Sequence, residues 1–286
     1  MEVYLIPSSV EEALGYLEKY SGDARVIAGG TDLMIQIRRG ELQTRALVDI
    51  THIPELKGIS QRDGYIVIGA ATTHTEIAES PLVWEKAKVL AQACKSIGSL
   101  QIRNVGTIGG NLVNAMPAAD SAIALAALDA EIEVVSSEGN RWLPLSEFHL
   151  GVGKCRVDAT RELVRAVRFK ALGQSEGSAF KRLARRRALI LPILNVGVVV
   201  AWDGGRFTRA AIAIGPVAPV PFRSRKAEEA LIGSPVSGEA LEMAARVAFD
   251  EAHPRSSLLR GSAEYRREMV RVLVRRALEE AVERAR

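Results

Sequence analysis

A chain of 286 residues that is 48% hydrophobic and 25% charged has the composition of a soluble globular protein and enough length for two or three domains with cores of their own. Its longest apolar stretches, such as Ala122 to Leu128, are far too short to span a bilayer, and the acidic residue at position 2, with no basic run around it, makes a poor secretory signal, so a cytoplasmic protein is expected. The net charge of +4 brings nucleic acid into view, but aromatic residues make up only 5% and none interleaves with the basic run Lys181 to Arg187 as base stacking would require, so a solvated helix face or a surface for an acidic partner or cofactor is the better reading.

The first segment reads as βαβ. Val3 to Ile6 is a short strand. Ser8 and Ser9, with Glu11 and Glu12 three residues on, form overlapping capping-box patterns for a helix whose apolar positions Val10, Ala13, Leu14 and Leu17 recur at helical spacing. Ser21-Gly22-Asp23 stops that helix. A second strand follows over 25–28, a short helix over Leu33 to Arg38 ended by Gly40, and a third strand over 47–50. Alternating residues around Asp63-Gly64 predict a hairpin. Pro81 opens a helix running to about Ile97, and a glycine loop leads to another helix through Ala119 to Leu128. Strands are expected over 131–135, 141–145 and 163–169. Lys170 to Ser178 is polar and linker-like. A second hairpin turns at Asp203-Gly204-Gly205, 215–225 is an irregular turn region, and helices over 239–251 and 262–285 close the chain. The fold class is α+β, divided into a βαβ-like lobe over 1–56, an α+β lobe over 57–172 and a C-terminal sheet-plus-helices domain over 173–286.

Two glycine segments carry the chemistry. In Ala28-Gly29-Gly30-Thr31-Asp32-Leu33 a strand runs into a helix through residues that tolerate positive φ and leave backbone N–H groups uncovered. A helix N-terminus at the same place makes this a nest for an anion, usually a phosphate. Thr31 adds a hydroxyl, and Asp32 can cap N–H groups in the first helical turn. In the second, Gly106 to Asp120, the glycines Gly106, Gly109 and Gly110 clear the backbone, Thr107 and Asn111 supply small polar side chains, Pro117 fixes a turn and Asp120 starts the next helix. Two such nests on adjacent lobes point to one long dinucleotide between them. The two cysteines stand far apart and the four histidines show no metal-ligand spacing, so no metal site is expected within the chain.

The segments AGGTDLMIQIRRG, LVDI, IGAATTHTEI, QIRNVGTIGGNLVNAMPAADS, LDAEIEV, FKRLARR and YRREM fall in the order seen in the FAD-binding medium subunits of molybdenum hydroxylases, which the chain resembles from Ile6 to about Leu278. The resemblance implies a two-lobed FAD domain of the PCMH or vanillyl-alcohol-oxidase type, followed by a small domain of three-stranded antiparallel sheet plus helices. It implies that Ile27, Ala28, Gly29, Gly30, Thr31, Asp32 and Leu33 bind the FAD pyrophosphate through their backbone. Thr107, Ile108, Gly109, Gly110 and Asn111 would form a second phosphate-binding strand and turn. Asp120 would bond ribityl or ribose hydroxyls, Ile97 would lie near the ring, and Lys181 would lie near the flavin with Arg185 as a companion. No side chain is implied as an acid or base.

By the same resemblance, a large partner subunit holds molybdenum-molybdopterin and oxidises the substrate, a small one holds two [2Fe–2S] clusters, and the assembly is a dimer of heterotrimers. This chain would pass electrons through FAD to an external acceptor, with cations such as Lys181 favouring the reduced, anionic flavin. Met116 and Ala119 replace the Ser and Gly of the commoner SPAGD wording. GGTD stands where carbon monoxide dehydrogenases often carry GGHS, which leans the substrate toward an aldehyde or aromatic heterocycle rather than CO. Two cysteines cannot hold an inserted extra cluster. A self-contained flavin oxidase of the same fold and a non-catalytic nucleotide or nucleic-acid binder are the alternatives.

Overall fold

The computed structural model describes residues 2–284, so Ala285, the last residue of the expected C-terminal helix, lies outside the described residues. The first lobe is a small parallel sheet. β1 (Val3–Leu5), β2 (Ala24–Ile27) and β3 (Ala46–Asp49) take the order β1-β3-β2, with α1 (Val10–Lys19) and α2 (Leu33–Arg38) between them in the chain. Parallel pairing needs such crossovers. Ser9 caps α1 by accepting from the Glu12 N–H, and the apolar positions read from the sequence, Val10, Ala13, Leu14 and Leu17, are the buried face. They pack on Ala46 and Val48, and the same cluster takes in Ala71, Val135 and Leu163 of the second lobe, so the first lobe's core is closed by the second.

The second lobe is built on a five-stranded antiparallel sheet. β4 (Ile59–Arg62) and β5 (Tyr65–Gly69) form the hairpin expected at Asp63-Gly64, both of which take positive φ. Then come α3 (His74–Glu79), α4 (Pro81–Lys86), α5 (Lys88–Ser96), α6 (Leu100–Val105), α7 (Ile108–Asn114) and α8 (Asp120–Ala127). β6 (Glu131–Ser136) and β7 (Gly139–Pro144) follow, then α9 (Leu145–Phe148), the small pair β8 (His149–Gly151) and β9 (Lys154–Cys155), and β10 (Leu163–Lys170), which sits between β5 and β6. The single helix expected from Pro81 to Ile97 is broken at Ala87, whose φ is −160° and ψ 54°. The Leu172 N–H takes the Lys86 carbonyl, a contact from far along the chain.

The C-terminal unit has a sheet of order β11-β12-β13-β14, where β11 is Glu176–Leu183, β12 Leu194–Asp203, β13 Arg206–Gly215 and β14 Phe222–Arg223. The expected three strands are therefore joined by a two-residue fourth, which pairs Ala213 with Arg223 inside the region read as an irregular turn. α10 (Arg225–Leu231), α11 (Gly238–Glu251) and α12 (Ala263–Arg284) complete it. This sheet is buried on both faces. Val196, Val198, Val200, Ile212 and Ile214 pack on α11 and α12, whereas Val199, Ala211 and Ala213 join the core of the second lobe. That explains why LNVGVVVA reads as a nearly continuous apolar run. Gly197 lets β12 and α8 approach closely there: a Cβ on it would stand 3.2 Å from the Ile123 carbonyl of α8, a tight contact. All eight residues of α8 are buried, as expected of a helix apolar nearly all round.

One polar cluster fastens α8 to the C-terminal sheet. The Asp120 carboxylate accepts from Asn195 Nδ2 at 2.6 Å and from Arg182 Nε at 3.1 Å. Removing one partner of a buried pair strands the other charge, so Arg182→Met is expected to lower stability by about 3 kcal/mol. The double variant with Asp120→Asn is expected to lose less than the sum of the single losses. Urea unfolding midpoints check both; a loss under about 1 kcal/mol for Arg182→Met would contradict this role.

Candidate functional site

β2 and β3 are parallel neighbours, and the crevice beyond the carboxyl ends of parallel strands is where open α/β sheets take ligands. The chain leaving β2 passes through Ala28 and Gly29, and the chain leaving β3 through Thr51. Ile27 is buried at the end of β2. Gly29 touches the second lobe directly: a Cβ there would lie 2.0 Å from the Val105 carbonyl oxygen and 2.9 Å from the Gly106 Cα. Gly30 has φ +65°, in the left-handed region. The backbone N–H groups of Gly29, Gly30, Thr31, Asp32 and Leu33 donate to no acceptor among the described residues. Asp32 makes no side-chain cap on α2, contrary to the role read for it. Its Oδ2 instead accepts from the Thr31 hydroxyl at 3.4 Å. The first nest thus keeps its donors free.

The second segment is a helix start, not a strand and turn. Thr107 is the N-cap of α7 and accepts from the Gly110 N–H at 3.1 Å. Ile108 N–H donates to the Thr72 carbonyl, Gly109 N–H to that of Ala70, and Asn111 N–H to that of Thr107. These donors are spent within the second lobe. Gly109 serves close packing instead: a Cβ would lie 2.7 Å from the Ala70 Cβ. Asn111 Oδ1 accepts from the Ser121 hydroxyl at 2.7 Å, tying α7 to α8.

Between the lobes lies a cleft of about 510 Å³ lined by Ala28 and Gly29 from the first segment and by Asn104, Val105 and Thr107 from the second. Thr51, Lys57, Thr73, Thr75 and Glu76 also line it. Sequence reasoning passed over these. The signal for three of them was present in ATTHTE, since Thr73 and Glu76 form a capping box on α3 and the Thr75 hydroxyl donates to Asn104 Oδ1 at 2.6 Å. Lys57 brings an ammonium to the cleft and Glu76 a carboxylate, so the lining offers the free Gly29 N–H, hydroxyls and one charge of each sign, with the donors of Gly30 to Leu33 continuing beyond it.

Gly30, Thr31, Asp32 and Leu33 continue the first segment beyond the cleft lining, and Ile97, Asp120 and Lys181 stand apart from it. Ile97 is half-buried at the end of α5, its carbonyl accepting from Arg103 Nη1 at 2.9 Å. Asp120 is turned to the interior, where burial pushes its carboxyl pKa up against the opposing pull of Arg182 and Asn195. Lys181 pairs with Glu280 of α12, which also accepts from Gln92 Nε2 at 2.9 Å. Its charge is that of a matched ion pair. Arg185 is exposed and donates to the Leu258 carbonyl at 3.2 Å.

His74, beneath the cleft in the first turn of α3, is 2% exposed, and its Nδ1 is buried without a partner. Burial, and then the Arg103 charge, pull its pKa down to about 4. The imidazole is neutral at pH 7.

A two-lobed nucleotide-binding flavoprotein with an appended sheet-and-helix domain is the class that this fold and cleft define. Residues 1–169 match the family described as FAD binding domain in molybdopterin dehydrogenase, and residues 178–281 match the CO dehydrogenase flavoprotein C-terminal domain. The chain is 34% identical over 261 residues to a xanthine dehydrogenase FAD-binding subunit of Escherichia coli O157:H7, covering 91% of this chain and 89% of that protein. It is 32% identical over 278 residues to the carbon monoxide dehydrogenase medium chain of Hydrogenophaga pseudoflava, covering 97% and 96%. A solved structure of carbon monoxide dehydrogenase from that organism, lacking the Mo-pyranopterin moiety of its cofactor, superposes with a TM-score of 0.93 at 33% identity over 99% of this chain and 98% of that one. The chain belongs to the FAD-binding medium subunits of molybdenum hydroxylases, and is an oxidoreductase subunit.

Two outcomes follow from the geometry. Gly29→Ala would force the lobes apart at Val105, so FAD affinity measured by flavin fluorescence titration is expected to fall at least about tenfold. An unchanged affinity contradicts the contact. For His74 the folded pKa lies below the unfolded 6.5, so its contribution to stability is complete above pH 6.5 and lost as pH falls through about 4. Urea midpoints for His74→Gln should lose about one proton's worth of acid-side slope in that window; an identical pH profile contradicts it.

Proposed function

We propose that this chain holds FAD along the interlobe cleft, with the pyrophosphate on the free N–H groups of Gly29 to Leu33 and Ile27 and Ala28 delivering the strand to it. The observation that carries this reading is that row of unpartnered donors, set where Gly29 abuts the second lobe. Backbone donors at a strand end suit a diphosphate because they are fixed before it arrives and need no side chain to be ordered. Thr107 supplies a hydroxyl from across the cleft. Ile108, Gly109, Gly110 and Asn111 build the wall behind it and fix its position. Lys57 adds positive charge in the cleft.

Asp120 acts through α8, by holding the second lobe against the C-terminal sheet. Ile97 and the Lys181–Glu280 pair belong to the ring end of the site. Because Glu280 matches Lys181, the field there is weaker than that of a free ammonium. FAD, when bound, supplies the exchange between one-electron and two-electron carriers. The chain's part is to bind, orient and shield it; no side-chain acid or base is assigned.

In this reading residues 1–56 and 57–172 are the two cofactor lobes and 173–286 the C-terminal domain. The chain works with a large molybdopterin subunit and a small [2Fe–2S] subunit, as a dimer of heterotrimers in the cytoplasm. No helix among the described residues is long and apolar enough to cross a membrane. The substrate proposed for the assembly is an aldehyde or aromatic heterocycle, with CO less favoured because GGTD replaces GGHS.

Titrating the full-length apoprotein with FAD tests the proposal. One FAD per chain is the expected uptake, and Gly30→Val should weaken it by about a hundredfold or more. A sample that is folded by circular dichroism yet takes up no FAD would refute the reading.

A further inference from the structure

Two loops of the C-terminal unit meet on one face: residues 184–193, between β11 and β12, and residues 252–262, between α11 and α12. Arg185 joins them through the Leu258 carbonyl, and the Leu189 N–H reaches the Gly98 carbonyl at 2.9 Å, one residue from Ile97. This face exposes apolar side chains that a lone domain would hide. Leu258 is 99% exposed, Leu259 76%, and Leu189 and Leu191 each 58%. Around them stand Arg185, Arg186, Arg187, Arg255 and Arg260, none paired with a carboxylate among the described residues. Beneath them Arg266, only 3% exposed, donates to the carbonyls of Ile193, Arg255 and Pro216, and Arg260 Nε is buried without a partner. Burial, and at Arg266 the neighbouring arginines, depress the pKa of both.

The partly desolvated charges of Arg260 and Arg266 add to the field of the exposed Arg185, Arg186, Arg187 and Arg255, and so concentrated a positive field favours an anionic group. A small anion would leave the leucines in water. Nucleic acid would want a stacking platform of Phe, Tyr or Trp among the arginines, and these two loops hold none of those, His253 being their one ring. A second copy in a two-fold dimer would set the same arginines against each other. We propose that this face docks a protein partner that presents carboxylates around an apolar hollow, with Leu258 and Leu259 entering the hollow and Arg186, Arg187 and Arg255 meeting the carboxylates. The proposal rests on the reading of the chain as one subunit of a larger assembly.

The test compares the isolated chain with its purified co-expressed complex with the molybdopterin and iron–sulfur subunits. Amides of 185–191 and 256–261 are expected to exchange more slowly in the complex, and phenylglyoxal to modify Arg187 and Arg255 more slowly. Leu258→Ser with Leu259→Ser, and separately Arg187→Glu with Arg255→Glu, should keep FAD uptake while weakening retention of the docked subunit by about tenfold or more. The wild-type contact should also weaken with salt. Unchanged exchange and labelling, or variants that assemble normally, overturn the proposal. So does an isolated chain that dimerises through this face, or a DNA probe whose binding the arginine variants abolish. Loss of docking with FAD uptake intact bears on this face alone, whereas a chain without FAD uptake refutes the cofactor reading. Three chains that never associate refute the assembly on which the proposal stands.

Discussion

Everything about the cleft depends on how closely two stretches of backbone approach where the lobes meet. Gly29 sits against Val105 and Gly106 with no room for even a methyl group. That contact sets the strand end of the first lobe beside the helix start of the second, where the five N–H groups after β2 find no acceptor among the described residues. The site is therefore made of main chain. Its shape is fixed by sheet and helix geometry before a ligand arrives, so little conformational entropy remains to be lost on binding.

The two glycine segments read alike in the sequence but do different work. The first leaves its donors open. The second spends them on Thr72, Ala70 and the Thr107 cap, and it turns glycine's small size into close packing against Ala70. One cradle and one buttress give the cleft a polar floor and a rigid wall. The C-terminal sheet adds to that rigidity, since one of its faces is shared with the core of the second lobe and the other with α11 and α12. Asp120, Arg182 and Asn195 fasten the two units at a buried point.

Local signals made much of this legible. The caps and spacing of α1, the positive-φ turns at Asp63-Gly64 and Gly204-Gly205, and the strand-to-helix glycine turn after β2 all depend on residues close together in the chain. Of the short helices, α3 carried a readable signal in its Thr73–Glu76 capping box that was passed over, whereas α6 and α7 offer only a capping Ser or Thr and six or seven residues, too few to show a period. The break at Ala87 depends on Leu172, far along the chain. The interior position of Asp120 depends on partners 62 and 75 residues away, and the matched charge of Lys181 on a glutamate 99 residues on. Spacing along the chain carries no record of such meetings.

The central claim is that a main-chain cradle at residues 29–33 grips a diphosphate. A crystal structure of the chain with FAD tests it most directly. The account predicts phosphate oxygens within hydrogen-bonding reach of the N–H groups of Gly29 to Leu33, with Thr107 facing them across the cleft. A diphosphate bound elsewhere, with those N–H groups facing only solvent, would contradict it.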